Sequence, residues 1–282
     1  MAERVRVAAV QMSGGADKRE NVETAIGLIE RAAGMGATLV SLPETWTYMG
    51  DSEATRDNGE PIPGPTTDRL AEVARKHRIW LHGGSIHEIA AGEPRVFNST
   101  VVLDPDGNLV GQYRKIHLFD VSIGDDVLSQ ESATVAPGDE VVVVDIGGIK
   151  LGLTICYDLR FPELYRLLAL QGAEIIAVPA AFHYHTGKDH WEVLLRARAI
   201  EDQVFILAAN ACGNHPGGWK SHGRSMIVDP WGVVLATAGD GPGVCIAECD
   251  MEMLAKVRRE LPSLENRRPS AYRWTDHAAV VS

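Results

Sequence analysis

The sequence predicts an α/β fold of mixed β-sheets covered by helices, with two sheets lying face to face. Three observations carry this expectation. Apolar runs of strand length alternate with stretches of helical periodicity along the 282 residues. Several neighbouring runs are joined by tight-turn residues, so hairpins interrupt the alternation. No low-complexity linker and no repeat of roughly 20–50 residues divides the chain, which points to a single domain over residues 1–282.

The elements follow in order. Val5–Val10, apolar but for Arg6, reads as a buried strand. Over residues 20–33, Val22, Ala25, Ile26, Ile29 and Ala33 recur at the spacing of an amphipathic helix, and Gly34 and Gly36 mark its end. Thr38–Leu42 is the next strand and delivers Pro43-Glu44-Thr45-Trp46. Thr67–His77 reads as a helix and Ile79–Gly83 as a strand. Val101–Leu103 and Leu109–Tyr113 flank Asp104-Pro105-Asp106-Gly107-Asn108, whose turn chemistry predicts a hairpin. Val141–Ile146 and Lys150–Ile155 form a second hairpin through Gly147-Gly148. A helix over 162–171, a strand over Glu174–Val178, a helix near 189–202 and a strand over Val204–Ala209 continue the pattern. Ser225–Val228 and Val233–Thr237 form a third hairpin around Asp229-Pro230-Trp231-Gly232, and Val244–Asp250 is a last strand. The segment 261–282, with Arg267, Arg268 and Pro269, is polar and irregular: a frayed end, or an arm that docks on a neighbouring subunit.

Composition narrows the functional classes. Hydrophobic residues make up 45% and charged residues 23%, ordinary values for a globular protein. A net charge of −11 argues against nucleic acid or an anionic membrane as partner, since both need basic patches. The N-terminus has no apolar core of signal-peptide length, because Glu3 and Arg6 interrupt it. No apolar run approaches the roughly 20 residues that span a bilayer. The cytoplasm is the expected location. Four cysteines, at 156, 212, 245 and 249, do not make a disulfide framework. Cys245 and Cys249 share a strand, where roughly 3.3 Å per residue sets them about 13 Å apart, too far to bridge. They read as packing thiols.

Cys156 stands out. An apolar run closes on it in Lys-Leu-Gly-Leu-Thr-Ile-Cys (150–156), and a helix begins soon after. The C-terminal end of such a strand is where open α/β sheets place ligands. A free cysteine is mostly protonated at neutral pH and needs a base and nearby positive charge to act as a nucleophile. Glu44, at another strand end, supplies a base. Lys115 supplies a fixed charge where an oxyanion develops, and the Tyr157 backbone N–H is a second oxyanion donor. Taken singly, each has a plainer reading: a core thiol, a loop carboxylate, a solvated strand lysine. Together they suggest thiol-based hydrolysis of a carbon–nitrogen bond.

Three segments make that combination specific. Leu-Pro-Glu-Thr-Trp (42–46), Tyr-Arg-Lys-Ile-His-Leu-Phe-Asp (113–120) and Ile-Cys-Tyr-Asp-Leu-Arg-Phe-Pro-Glu (155–163) resemble the signature segments of the nitrilase superfamily of carbon–nitrogen hydrolases. Further matches are Gln-Glu-Ser (130–132) with Pro-Gly-Asp (137–139), His190 to Glu201, and Gly223 to Gly232, so the resemblance runs from about residue 4 to residue 273. It implies a four-layer αββα sandwich of two mixed sheets flanked by helices. It also implies subunits that pair into dimers, with 261–282 as the intersubunit arm. Glu44, Lys115 and Cys156 fall on the family's catalytic residues, and Glu131 on a second glutamate that orients the lysine. No metal or organic cofactor is implied.

For substrate, Leu-Phe-Asp after the lysine, Thr-Gly-Lys-Asp-His-Trp-Glu (186–192) and Arg-Arg-Pro-Ser-Ala-Tyr (267–272) look most like the omega-amidase and deaminated glutathione amidase branch. That branch hydrolyses terminal amides of small carboxylated compounds. Arg160 is the candidate cation for a substrate carboxylate; its alternative is an ion pair with Asp158 or Glu163. His183 and Lys188 lie on a loop expected to border the pocket. N-carbamoyl or nitrile hydrolysis would use the same triad. Two readings of other classes are a non-catalytic scaffold and a metallohydrolase. The second would draw on His183, His185 and His190, joined by Glu192 or by Cys212 with His215, with His183 and His185 projecting to one side of a strand.

Overall fold

The computed structural model describes residues 4–123 and 127–272. β1 (Arg4–Gln11) opens the chain and α1 (Lys18–Gly34) follows, its first turn capped by the Asp17 carboxylate, which accepts from the Glu20 N–H at 3.1 Å. Next come β2 (Leu39–Ser41), α2 (Pro65–His77), β3 (Trp80–His82), β4 (Ile86–Glu88), β5 (Val96–Leu103) and β6 (Leu109–Arg114). β7 (Asp120–Ile123) and β8 (Val127–Gln130) form a small hairpin, and β9 (Val135–Ala136) returns to β5. β10 (Val143–Asp145), β11 (Lys150–Leu153), α3 (Pro162–Leu170), β12 (Ile175–Ala180), α4 (Tyr184–Asp202) and β13 (Phe205–Asn210) build the second half. It ends in the hairpin of β14 (Cys212–Asn214) and β15 (Lys220–His222), then β16 (Met226–Val228) and β17 (Val234–Thr237). β18 (Gly243–Asp250) returns to lie beside β1, and α5 (Met251–Glu260) follows.

Two mixed sheets result. One runs β18-β1-β2-β3-β5-β4, with β6 and β9 also on β5; the other runs β10-β11-β12-β13-β16-β17. β1, β2 and β3 are parallel, as are β11, β12 and β13, while the edges are antiparallel. Helices α1 and α2 cover the first sheet, α3 and α4 the second, and β1 faces β13 across the middle. The four layers are α, β, β, α, as the resemblance implies.

Strand alternation explains the layering. Val5, Val7 and Ala9 of β1 point into the layer shared with β12 and β13, while Ala8 and Val10 point toward α1 and α2. Both faces of β1 are covered, so Val5, Val7, Ala8, Ala9 and Val10 are all buried and only Arg6 between them is exposed. On α1, Ala25, Ile26 and Ile29 are buried as predicted, while Ala32 is buried in place of Ala33, Val22 is only partly buried, and Asn21 is buried as well. Complete burial of an isoleucine such as Ile29 contributes about 1.5–3 kcal/mol.

Three expectations need correction. β5 is longer than the predicted Val101–Leu103 and begins at Val96, so it includes the buried polar run Asn98-Ser99-Thr100. α4 starts at Tyr184 rather than near 189. His183 is therefore its N-cap, and Lys188 lies within the helix, not in a loop. Nor is His183-x-His185 on a strand: the His185 N–H points back to His183 Nδ1 at 3.4 Å in the first turn of α4. Of the proposed arm 261–282, Pro269–Ala271 forms a 3₁₀ turn, and 273–282 lie outside the described residues.

Candidate active site

Strand ends converge on one cavity of about 1040 Å³. Glu44, Lys115, Glu131, Cys156, Tyr157, Arg160, His183 and Lys188 all line it, so the catalytic, oxyanion and substrate-binding candidates of the sequence border the same space. Glu44 follows β2, Lys115 follows β6, Glu131 follows β8 and Cys156 follows β11.

The loop carrying Glu44 packs tightly. Thr45 has φ +44°, and its N–H donates to Ser85 Oγ at 3.0 Å. Gly84 beside it has φ +63°, and a Cβ there would lie 2.1 Å from the Pro43 carbonyl oxygen, so only glycine fits. Glu44 is 5% exposed. Its Oε2 accepts from the Ala181 N–H at 2.8 Å, while its Oε1 accepts from Lys115 Nζ at 2.8 Å and Asn98 Nδ2 at 2.9 Å.

Lys115 is 2% exposed and sits between two carboxylates. Its Nζ is 2.8 Å from Glu44 Oε1 and 2.9 Å from Glu131 Oε2. Burial alone pulls its pKa down, but the charges of Glu131 and Glu44 outweigh it and hold the ammonium well above the ordinary lysine range. Glu131 Oε2 also accepts from the Phe119 N–H at 2.6 Å, which fixes the second carboxylate to the chain just after Lys115.

Cys156 has φ +46°, a left-handed conformation unusual for a residue with a side chain. The chain turns sharply there from β11 into a 3₁₀ turn over Cys156–Arg160. Asp158, fully buried, holds that turn: its Oδ2 accepts from the Ile155 N–H at 2.8 Å and Tyr113 Oη at 2.7 Å, and its Oδ1 from the His117 N–H at 3.0 Å. The strain of the elbow, on the order of 1–3 kcal/mol, is thus carried by a dense local network. Burial first, then the Glu44 charge, pushes the Cys156 thiol well above its ordinary range, with Lys115 opposing. That direction favours the protonated thiol at Cys156. Tyr157 follows as the first residue after the elbow, its backbone N–H available at the start of the 3₁₀ turn.

Arg160 does not form the structural ion pair considered for it. Asp158 is committed to Tyr113, His117 and Ile155. The Arg160 guanidinium instead lies 5.2 Å from the Phe182 ring centroid and 5.9 Å from that of Tyr157, with Nη1 3.3 Å from His190 Nδ1. Lys188 is exposed, 3.9 Å from Asp189. His183 is half-buried, and burial lowers its pKa.

The histidines weighed as metal ligands are dispersed. His190 is exposed on α4, and His215 is tied to Gly14 O and Ser221 Oγ at 3.0 and 2.8 Å. Among the described residues no group of three His, Cys, Asp or Glu side chains converges to hold a metal ion. Cys212, Cys245 and Cys249 are buried free thiols.

Sequence reasoning missed Asn98, which reaches both Glu44 and Glu131, and the role of Asp158. The signal for Asn98 was present in the polar run that interrupts an otherwise apolar strand.

The model of the carbon-nitrogen hydrolase family matches residues 6–259 of this chain. The chain belongs to that family. It is therefore an enzyme of the carbon–nitrogen hydrolase type, with the αββα fold of the nitrilase superfamily. It is 41% identical to the deaminated glutathione amidase of Bos taurus over 271 residues, covering 94% of this chain and 83% of that protein. It is 39% identical to the omega-amidase NIT2 of Mus musculus over 267 residues, covering 95% and 96%. The crystal structure of the C. elegans NitFhit protein superposes with a TM-score of 0.90 at 36% identity, covering 96% of this chain and 66% of that longer one. No helix among the described residues is long and apolar enough to cross a membrane.

Proposed function

We propose that this carbon–nitrogen hydrolase is an amidase that cleaves the terminal amide of a small carboxylated compound, of the 2-oxo acid amide or deaminated glutathione type, to the acid and ammonia. The observation that carries the reading is the placement of Lys115 Nζ within 2.9 Å of both Glu44 and Glu131 in the cavity that Cys156 lines. The names of the relatives support the substrate class. So does Arg160, a cation at the same cavity with no carboxylate partner among the described residues.

In the proposed reaction Glu44 takes the Sγ proton of Cys156 as sulfur attacks the amide carbonyl carbon. Lys115 Nζ and the Tyr157 N–H hold the oxyanion of the tetrahedral intermediate. Its collapse breaks the carbon–nitrogen bond, and Glu44 returns the proton to the departing nitrogen, releasing ammonia and leaving a thioester. Glu44 then takes a proton from water, whose oxygen attacks the thioester. The acid departs and the proton returns to sulfur. Glu131 keeps Lys115 charged and in place. Arg160 binds the substrate carboxylate, with His183 and Lys188 at the outer wall.

We further propose one catalytic domain that pairs as a homodimer in the cytoplasm, with 261–282 as an arm. Leu167 and Leu170 on α3 and Val193 and Ile200 on α4 are 47%, 48%, 66% and 48% exposed, a face that pairing of two copies would cover. Four buried free thiols suit a reducing compartment.

The test is ammonia release from 2-oxoglutaramate, deaminated glutathione, an aliphatic amide, an N-carbamoyl amino acid and a nitrile. Preference for one of the first two is expected, with Cys156→Ala losing about 10³-fold or more while staying folded. Activity only on the N-carbamoyl compound or the nitrile would reject the substrate class but keep the chemistry. Near wild-type activity in Cys156→Ala would overturn the mechanism.

A further inference from the structure

Asn98 sits on β5, 1% exposed, facing the carboxylates of the site. Its Nδ2 donates to Glu44 Oε1 at 2.9 Å and to Glu131 Oε1 at 3.2 Å. Carboxylates only accept, so the amide nitrogen must be the atom that faces them. Its other end, Oδ1, is buried with no hydrogen-bond partner among the described residues. A buried amide normally satisfies its oxygen as well, and leaving it unpaired costs stability. Every side-chain hydrogen bond Asn98 makes thus goes to the two glutamates beside the nucleophile. Its backbone carbonyl also accepts from the Lys115 N–H at 2.9 Å, so one residue sets the position of all three charged groups.

We infer that Asn98 is a positioning residue that pins Glu44 Oε1 and thereby assigns proton transfer with Cys156 to Glu44 Oε2. Oε1 already accepts from both Lys115 and Asn98. Oε2 accepts from the Ala181 N–H alone, leaving a lone pair for the thiol proton. Without Asn98 the carboxylate is held at Oε1 by Lys115 only and turns more freely. It also loses a donor that favours its ionised form. The ionisable groups around the pair are Lys115, Glu131 and Cys156. From β4 comes His87, which burial lowers to about 4 and so keeps neutral at pH 7.

The inference rests on the proposed amidase reading and is tested with Asn98→Leu, which cannot donate, and Asn98→Asp, which sets a third carboxyl beside the other two. Each is expected to lower kcat/KM for the best amide by about 10- to 100-fold and to move the acid limb of its pH profile to higher pH, with active sites counted by titration. Iodoacetamide alkylation of Cys156 against pH, with Cys156→Ala as blank, should move its lower limb the same way without any turnover. If the wild type hydrolyses no amide, the reading of the reaction fails while alkylation still decides the role of Asn98. Limbs that stay at the wild-type pH in both variants, whatever happens to the rate or the stability, would overturn the inference.

Discussion

Tyr113 donates its phenol proton to Asp158 Oδ2 at 2.7 Å, joining the strand that delivers Lys115 to the turn that follows Cys156. His117, on the other side of Lys115, reaches Asp158 Oδ1 through its N–H at 3.0 Å and its Nδ1 at 2.7 Å. One buried carboxylate therefore references Lys115 and Cys156 to each other. Burial, with Asp158 adding, keeps the phenol well above the ordinary tyrosine range and so a permanent donor. Tyr113→Phe should cost about 1–2 kcal/mol of stability and lower kcat several-fold with little change in KM. Denaturant unfolding beside steady-state kinetics checks both.

The Cys156 thiol is raised first by burial and next by the negative charge of Glu44, while Lys115 opposes. Glu44→Gln removes the second cause and keeps the third, so the thiol pKa should fall even as catalysis is lost. Thiolate absorbance near 240 nm, with Cys156→Ala subtracted, should therefore rise at lower pH in Glu44→Gln than in the wild type. Turnover should drop by about 10²–10⁴-fold. An unchanged titration would mean that the Glu44 charge is not felt at sulfur.

What the sequence left illegible follows from pairings between distant segments. Glu44, Lys115 and Cys156 were readable because each closes a strand in a distinctive segment. Asn98-Ser99-Thr100 lie outside the predicted strand Val101–Leu103, because three polar residues in a row do not suggest a core. Each is in fact met inside the protein: Asn98 by Glu44 and Glu131, Ser99 Oγ by Glu88 at 2.6 Å, Thr100 Oγ1 by His82 at 2.9 Å. No local pattern announces partners that far away. Gly187, inside α4, likewise answers to a distant segment, since a Cβ there would lie 2.4 Å from His222 Cβ. The glycine is needed so that α4 can approach the β14–β15 hairpin, a contact invisible to periodicity.

Arg160 gives the substrate class its sharpest handle. Its guanidinium rests near the Phe182 and Tyr157 rings rather than on a carboxylate. Arg160→Met keeps the packing stem and removes the charge. KM for a carboxylated amide should then rise by about 10- to 100-fold, while that of a neutral aliphatic amide stays within about twofold. Equal effects on both substrates would assign Arg160 to cavity shape instead.

Asp202 tests how the fold tolerates a charge away from the site. It is fully buried at the end of α4, and Arg166 Nε stands 3.1 Å from Oδ1. The approach lacks hydrogen-bonding geometry, and neither carboxyl oxygen has a hydrogen-bond partner among the described residues. Burial, with Glu201 adding, raises the pKa to about 7 against the opposing charges of Arg166, Arg198 and Arg267. A carboxyl whose folded value lies above its unfolded one binds its proton more tightly when folded. Its contribution is complete below pH 4 and is lost as pH rises to about 7. Between pH 5 and pH 7 the wild type should therefore lose on the order of 2 kcal/mol relative to Asp202→Asn, whose amide does not titrate. Unfolding free energies of the two proteins, subtracted at each pH, isolate this group from all others. A flat difference would show that the Arg166 charge, despite its poor alignment, keeps Asp202 ionised throughout.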